Sequence, residues 1–224
     1  DYIEADLREV GRTHGLEVVE NGVDFDGLQT IPHADTEWDV IYFGRLSEHK
    51  NVDMMLDVID IVSDRLDTEL SCGIISDGPE RDSLEQHANE IGVSDQVEFL
   101  GFIEADEDVI ANIKTASVFV LPSIREGFPN TILEANACGV PSIVVDHAEN
   151  GSTAVVEDGV TGFITEVSAD AIAERLTQCL TDEELLAELS ASAREFGREH
   201  NWDNIVADLE QVYSSAVESS DKIN

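Results

Sequence analysis

Residues 121–141 read LPSIREGFPNTILEANACGVP, and three changes of texture inside them set the architecture. The apolar run SVFVL (117–121) predicts a buried strand that ends at Leu121. A loop, Glu126-Gly127-Phe128-Pro129, follows, and a helix is predicted over 131–138, opened after Pro129 and closed by Gly139. PSIVV (141–145) then returns to strand texture. Exposed amides at a helix start attract anions, and Gly127 lets a ligand come close to the backbone. Glu126 lies on the loop and Glu134 in the helix, eight positions apart. Two carboxylates beside an anion site are unfavourable unless ligand hydroxyls donate to them. A sugar carried on a diphosphate supplies both the anion and the hydroxyls.

Outward from this stretch the texture repeats. Strands are predicted at 39–43, 69–75, 97–100, 117–121 and 141–145, with helices at 51–64, 80–91, 106–114 and 131–138 between them. The segment AVVEDGVTGFI (154–164) reads as a short extended pair turning at Asp158-Gly159, followed by helices at 169–180, 182–197 and 202–218. Strands separated by helices imply a parallel sheet, hence a Rossmann-like doubly wound α/β domain with its chemistry in the loops after the strands. Residues 1–20 read as a helix and a short strand, LEVVE, and residues 29–38 as a loop carrying Pro32. The last helix has a continuous apolar face at 202, 205, 206, 209, 212, 213 and 217. One Rossmann domain offers that face no sheet to cover, so a partner outside the chain is expected.

The 224 residues hold 49 Asp and Glu against 12 Lys and Arg, a formal charge of −37. A surface this negative repels phosphate backbones and anionic headgroups, which argues against nucleic-acid or electrostatic membrane partners. Lysine is nearly absent: Lys50, Lys114 and Lys222 stand against nine arginines. Molar salt shortens the range of carboxylate repulsion, so a halophilic, archaeal source is expected. Cys72, Cys138 and Cys179 show no paired spacing and fit a reducing cytoplasm. No apolar run approaches the roughly 20 residues that span a bilayer. The chain opens at Asp1 without an initiator Met, which suggests a fragment or a processed chain.

The Glu126…Glu134 spacing in EGFPNTILEA, followed by ACGVP, resembles the retaining glycosyltransferase family 4 of the GT-B fold. The likeness runs along nearly the whole chain. NGVD (21–24) resembles the start of that family's C-terminal domain, GRLSEHKN (44–51) its diphosphate loop, SDGPERDSL (76–84) its GDGP segment, and VEDGVTGF (156–163) its EDG segment. The helix carrying Trp202 resembles the one that crosses back to the N-terminal domain. The resemblance therefore divides the chain into a connection (1–24), a nucleotide-sugar-binding domain (25–200) and a crossing helix (201–224), with the acceptor-binding N-terminal domain missing. It implies transfer of a hexose from a UDP- or GDP-sugar to an acceptor hydroxyl, without metal or cofactor. A fragment alone would be nearly inactive, and its exposed cleft face would promote homodimers.

The same resemblance assigns roles to matching positions. Gly44, Arg45 and Lys50 would hold the donor diphosphate, Glu126 the sugar hydroxyls and Glu134 the ribose hydroxyls. Backbone from Gly127 and Phe128 through Pro129, Asn130 and Thr131 would touch sugar and phosphate. Arg45, Lys50 and Glu126 form the catalytic set, since cations and helix-start amides stabilise a departing diphosphate. Two departures stand out: Ser76 replaces the first Gly of GDGP, and Ala154 replaces a glutamate that the family often has before EDG. Asp24-Phe25-Asp26 spells DxD, but a capped loop explains it better than a metal. His14, His33, His87, His147 and His200 fall at no metal-binding spacing, and His49 is read as solvated beside the diphosphate loop. Phe99, Leu100 and Gly101 lie where the resemblance puts the nucleobase. A sugar-nucleotide epimerase of the same fold and a non-catalytic sugar-nucleotide module are the competing readings.

Overall fold

The computed structural model of the chain describes residues 8, 11 and 18–221, with side chains as far as residue 216. Six strands form one parallel sheet: β1 (Trp38–Phe43), β2 (Cys72–Ile75), β3 (Val97–Gly101), β4 (Ala116–Leu121), β6 (Ser142–Val145) and β8 (Gly162–Thr165). Their order is β3-β2-β1-β4-β6-β8, every pairing parallel. Tyr42 pairs with Ile74, and Ile41 with Phe119, so the most apolar runs of the sequence occupy the centre. Val40, Ile41, Tyr42, Val118, Phe119 and Val120 are all fully buried. Burial on both faces explains why these strands read as continuous apolar runs rather than alternating ones. Two short strands, β5 (Arg125–Glu126) and β7 (Glu149–Asn150), pair in a separate parallel ribbon.

Helices cover both faces. On one lie α2 (Val52–Leu66), α3 (Arg81–Ile91) and α6 (Ala169–Thr181); on the other lie α1 (Phe25–Thr30), α4 (Asp106–Ile113), α5 (Asn130–Cys138) and α7 (Glu183–Glu199). Val52, Met55, Leu56, Val58, Ile59 and Val62 form the buried stripe of α2, at the spacing of one helix face. Helix α7 approaches α5 closely because Gly197 rests on the Ala137 backbone, where a side chain would clash.

Four sequence expectations change. Residues 25–30 are helical rather than loop: Asp24 Oδ1 accepts from the Gly27 amide at 3.0 Å and caps α1. The expected extended pair at 154–164 does not form. Gly151–Ala154 is a short 3₁₀ turn, and Gly162–Thr165 instead joins the main sheet beside β6. Gly162 permits that docking, since a Cβ there would strike the Ser142 backbone. Strand β2 starts at Cys72 and not at residue 69, because the Asp39 carboxylate takes the Ser71 amide at 2.8 Å and the Ser71 carbonyl serves β1. Most of residues 1–17, the expected first helix and the start of LEVVE, lies outside the described residues; Val18–Glu20 carries no strand.

The final helix, α8 (Trp202–Asp221), is held at its first turn. Val23 donates to the His200 carbonyl at 2.9 Å and accepts from Trp202 at 3.1 Å, while the Trp202 ring packs against Gly22. Beyond Ile205, which is buried, Val206 is 48% exposed, Leu209 37% and Tyr213 65%.

Ser76 carries a strained backbone, φ 108°, with its amide donating to Gly101 at 2.8 Å. Glycine adopts that conformation without cost, whereas another residue loses about 1 kcal/mol or more. Ser76→Gly should therefore raise the unfolding free energy by about 1 kcal/mol in chemical denaturation. A variant no more stable than the parent would show that the strain is relieved elsewhere.

Candidate functional site

The strand order reverses between β1 and β4, and the helices that follow them, α2 and α5, lie on opposite faces. A crevice opens outside the carboxyl ends of such strands. The loop after β1 contains Gly44, Arg45, His49 and Lys50; the loop after β4 contains Glu126 through Pro129. Three hydrogen bonds tie the loops together. Ile124 donates to the His49 carbonyl at 3.0 Å, Asn51 Nδ2 to the Pro122 carbonyl at 3.2 Å, and the buried Ser123 hydroxyl to the His49 carbonyl at 3.2 Å. Asn51 makes its bond from a left-handed backbone, φ 49°, a conformation asparagine tolerates better than most residues.

These ties bring Lys50 onto Glu126. Nζ and Oε1 lie 2.5 Å apart, with the side chains only 16% and 12% exposed. Glu126 is fixed from behind by the β5–β7 ribbon, where it pairs with Asn150. Asn150 is itself clamped, donating to Val145 at 2.7 Å and accepting from Ser152 at 3.0 Å. Gly151 lies against the Gly127 carbonyl where a Cβ would collide. Below the first loop, the buried Tyr42 hydroxyl donates to the Arg45 carbonyl at 3.2 Å. Burial, and then the nearby Glu126 carboxylate, push that phenol well above its ordinary range. Gly44 is required here, because its Cβ would sit 2.8 Å from the Tyr42 oxygen. Arg45 is exposed and makes no ion pair among the described residues.

The third loop, after β2, closes onto the first. Leu46 donates to Asp77 at 3.1 Å, Glu80 donates to Leu46 at 3.2 Å, and Gly78 touches the Leu46 backbone with no room for a side chain. Helix α5 begins at Asn130. Pro129 has no amide hydrogen and the Asn130 amide is turned to the Phe128 carbonyl at 3.1 Å, so the expected row of amides narrows. Phe128 and Thr131 keep amides without a partner among the described residues, and nothing lies within 4 Å of the open side of Gly127. Asn130 instead accepts from Asn21 Nδ2 at 3.0 Å, linking the chain's NGVD segment to the helix start. Glu134 is half-buried on α5, and burial, then Asp106, pushes it up to about 7.

Other candidates find structural uses. Asp24 of the DxD triplet is the α1 cap and Asp26 sits in that helix's first turn. The His49 ring lies 3.5 Å from the Ser47 hydroxyl, and the contribution of this residue is its carbonyl. His87 pairs with Asp57 and His200 with Glu20, at 2.8 and 2.7 Å. Phe99 packs under Arg81, which also donates to the Phe99 carbonyl at 3.1 Å. Phe102, 76% exposed just past β3, went unnoticed in the sequence because a single aromatic in GFIE has no periodic context. Tyr42 and Asn51 were equally hidden, one inside a strand run and the other before a helix. Ala154 is exposed on the 3₁₀ turn. A separate cleft of about 510 Å³ opens at the amino ends of β1 and β4, away from this crevice, around His33, Glu37 and Lys114. Its cation is engaged: Lys114 donates to the Ile31 carbonyl at 2.5 Å.

The family described as "Glycosyl transferases group 1" matches residues 28–196. The chain belongs to this family. Among curated glycosyl transferase relatives, the D-inositol 3-phosphate glycosyltransferase of Salinispora arenicola is 31% identical over 188 residues, covering 80% of this chain and 41% of that protein. The GDP-mannose-dependent alpha-(1-6)-phosphatidylinositol monomannoside mannosyltransferase of Mycobacterium tuberculosis is 28% identical over 218 residues, covering 89% and 56%. This chain thus spans about half the length of the curated relatives it matches. The Anabaena HepE protein, solved in complex with UDP, superposes with a TM-score of 0.81 at 21% identity, covering 95% of this chain and 61% of that one. The chain therefore has the Rossmann-like architecture of the GT-B fold.

Glu134, on α5, gives the fold a pH signature. Its ordinary value is 4.5 and its folded value about 7, so the native state holds this proton more tightly than the unfolded chain. The resulting stability is complete below the unfolded value and is lost as pH rises through 7. Glu134→Gln should flatten the stability profile across that window and raise stability at alkaline pH by about 2–3 kcal/mol. Denaturation at fixed salt checks this; an unchanged slope would mean that Glu134 is solvated.

Proposed function

We propose that the chain is the donor-binding half of a retaining hexosyltransferase that uses a UDP- or GDP-sugar. The observation that supports it is the meeting, at one strand-order reversal, of the loop carrying Arg45 and Lys50 with Glu126, open Gly127 and the unpartnered Phe128 and Thr131 amides, with Glu134 farther along α5. Cations and amides suit the diphosphate; carboxylates suit hydroxyls of sugar and ribose. An epimerase or a non-catalytic module would also hold a sugar nucleotide, but transfer is the activity named for the relatives. Either base is compatible with them, since one is described as GDP-mannose-dependent and HepE was solved with UDP.

In this reading the bond between the anomeric carbon and the diphosphate oxygen breaks while an acceptor oxygen bonds to the same face of that carbon. The acceptor proton passes to the leaving phosphate. Negative charge grows on the diphosphate, and Arg45, Lys50 and the Phe128 and Thr131 amides are placed to stabilise it without a metal. Glu126 holds the sugar in line. The acceptor belongs to a second domain outside this chain. The apolar face of α8 then covers that domain, and in its absence dimerises. A cytoplasmic setting agrees with three free cysteines, and the charge of −37 with a halophilic, archaeal source.

Calorimetric titration with UDP and GDP tests the site. Each of Arg45→Ala and Lys50→Ala should weaken the bound nucleotide about tenfold or more, the loss of a charge-assisted contact. Unchanged affinity in both variants would sink the assignment. For the charge, raising KCl from about 0.1 to about 2 M should increase the unfolding midpoint, because screening weakens carboxylate repulsion. A midpoint insensitive to salt would contradict the halophilic reading.

A further inference from the structure

We propose that Glu126 acts as a specificity-determining residue by competing with the diphosphate for Lys50, so that the site holds a nucleoside diphosphate sugar more tightly than the nucleoside diphosphate left after transfer. The proposal rests on the donor-site reading above and adds a discrimination to it. Lys50 and Glu126 satisfy each other at 2.5 Å in a place largely withdrawn from water. Both backbones are held in place while the side chains can turn. Lys50 ends a 3₁₀ turn closed by its own amide on Ser47 at 2.8 Å, and Glu126 is pinned by the ribbon with Asn150. A phosphate that takes Lys50 therefore takes it from Glu126.

What happens to the released carboxylate depends on the ligand. A nucleoside diphosphate, with its ribose at Glu134, brings no hexose hydroxyl to Glu126 and sets further negative charge beside it. Separating one partner from a desolvated pair leaves an uncompensated charge, which is costly. A ligand that also carries a hexose supplies hydroxyl donors to Glu126 as Lys50 turns to phosphate, so both members stay satisfied. Arg45, exposed and without an ion pair among the described residues, anchors phosphate in either case and carries no discrimination. Arg125 is also outside the competition: its 3.8 Å contact is with Glu149, both side chains largely exposed. The consequence is easier departure of the product nucleotide once the sugar has left.

A double-mutant cycle tests the competition. UDP, UDP-glucose, GDP and GDP-mannose are titrated into the chain and into Glu126→Gln, Lys50→Met and the double variant in molar KCl, with circular dichroism to check folding. Expected are a roughly tenfold gain in affinity for the sugar-free nucleotide in Glu126→Gln, a smaller preference for its sugar-bearing counterpart, and disappearance of the gain in the Lys50→Met background. If Glu126→Gln does not fold, Glu126→Asp, which withdraws the carboxylate by one methylene, should show the same signs. No gain, or a gain that persists without Lys50, would overturn the proposal, the second outcome reducing Glu126 to simple charge repulsion. Binding equal in the parent and Lys50→Met would overturn the competition, whereas no binding of any of the four nucleotides would overturn the donor-site reading and the competition with it.

Discussion

A parallel sheet whose strand order reverses cannot close the space above the reversal with backbone hydrogen bonds, because the loops leaving the two strands run to opposite faces. In this chain the reversal lies between β1 and β4, and the loops are joined there by side chains and stray backbone groups. Asn51 reaches Pro122, Ser123 and Ile124 reach His49, and Lys50 reaches Glu126. Glycines at 44, 78 and 151 let the surrounding segments come into contact. The crevice is consequently shaped by a few residues with no freedom to vary independently. Adding a methyl group at Gly78 or Gly151 would press on backbone rather than on a yielding side chain.

Charge is arranged against that frame. A net charge of −37 makes any anion site an electrostatic exception, maintained by local cations and oriented amides rather than by the surrounding field. Lys50, one of three lysines, stands at the reversal, and Lys114 is engaged elsewhere with a backbone carbonyl. Glu126 pairs with Lys50, while Arg45 is open to solvent. On the proposed function, the acidic shell and the small basic spot answer separate demands, the first in solubility and salt response, the second in recognition.

Much of this was legible in the sequence, for identifiable reasons. Helix α5 announced itself through Pro129 before it and Gly139 after it, and Gly139 indeed takes φ 77° as a left-handed cap. The central strands were legible because burial on both faces demands unbroken apolar runs. Helix α1 was not, since six residues containing Gly27 carry too little period to distinguish a helix from a capped loop. The segment around Asp158-Gly159 looked like a hairpin because local turn chemistry is the same whether the following strand turns back or joins a distant edge; the Ser142–Gly162 register determined which. At the site, residue types were readable and partnerships were not. Lys50 and Glu126 are 76 positions apart, and only the strand order brings them together. Ser76 was noticed as a departure, but its positive φ belongs to the β2–β3 irregularity and could not be read from SDGP.

The central claim is that a nucleoside diphosphate occupies the crevice at the β1–β4 reversal. Mapping amide chemical-shift changes on titration with UDP and GDP in molar KCl tests it most directly. The account predicts that one nucleotide shifts amides of Gly44–Lys50 and of Gly127, Phe128 and Thr131, with little change at the amino ends of the strands. Shifts concentrated instead around His33, Glu37 and Lys114, in the cleft at the amino ends of β1 and β4, would contradict it.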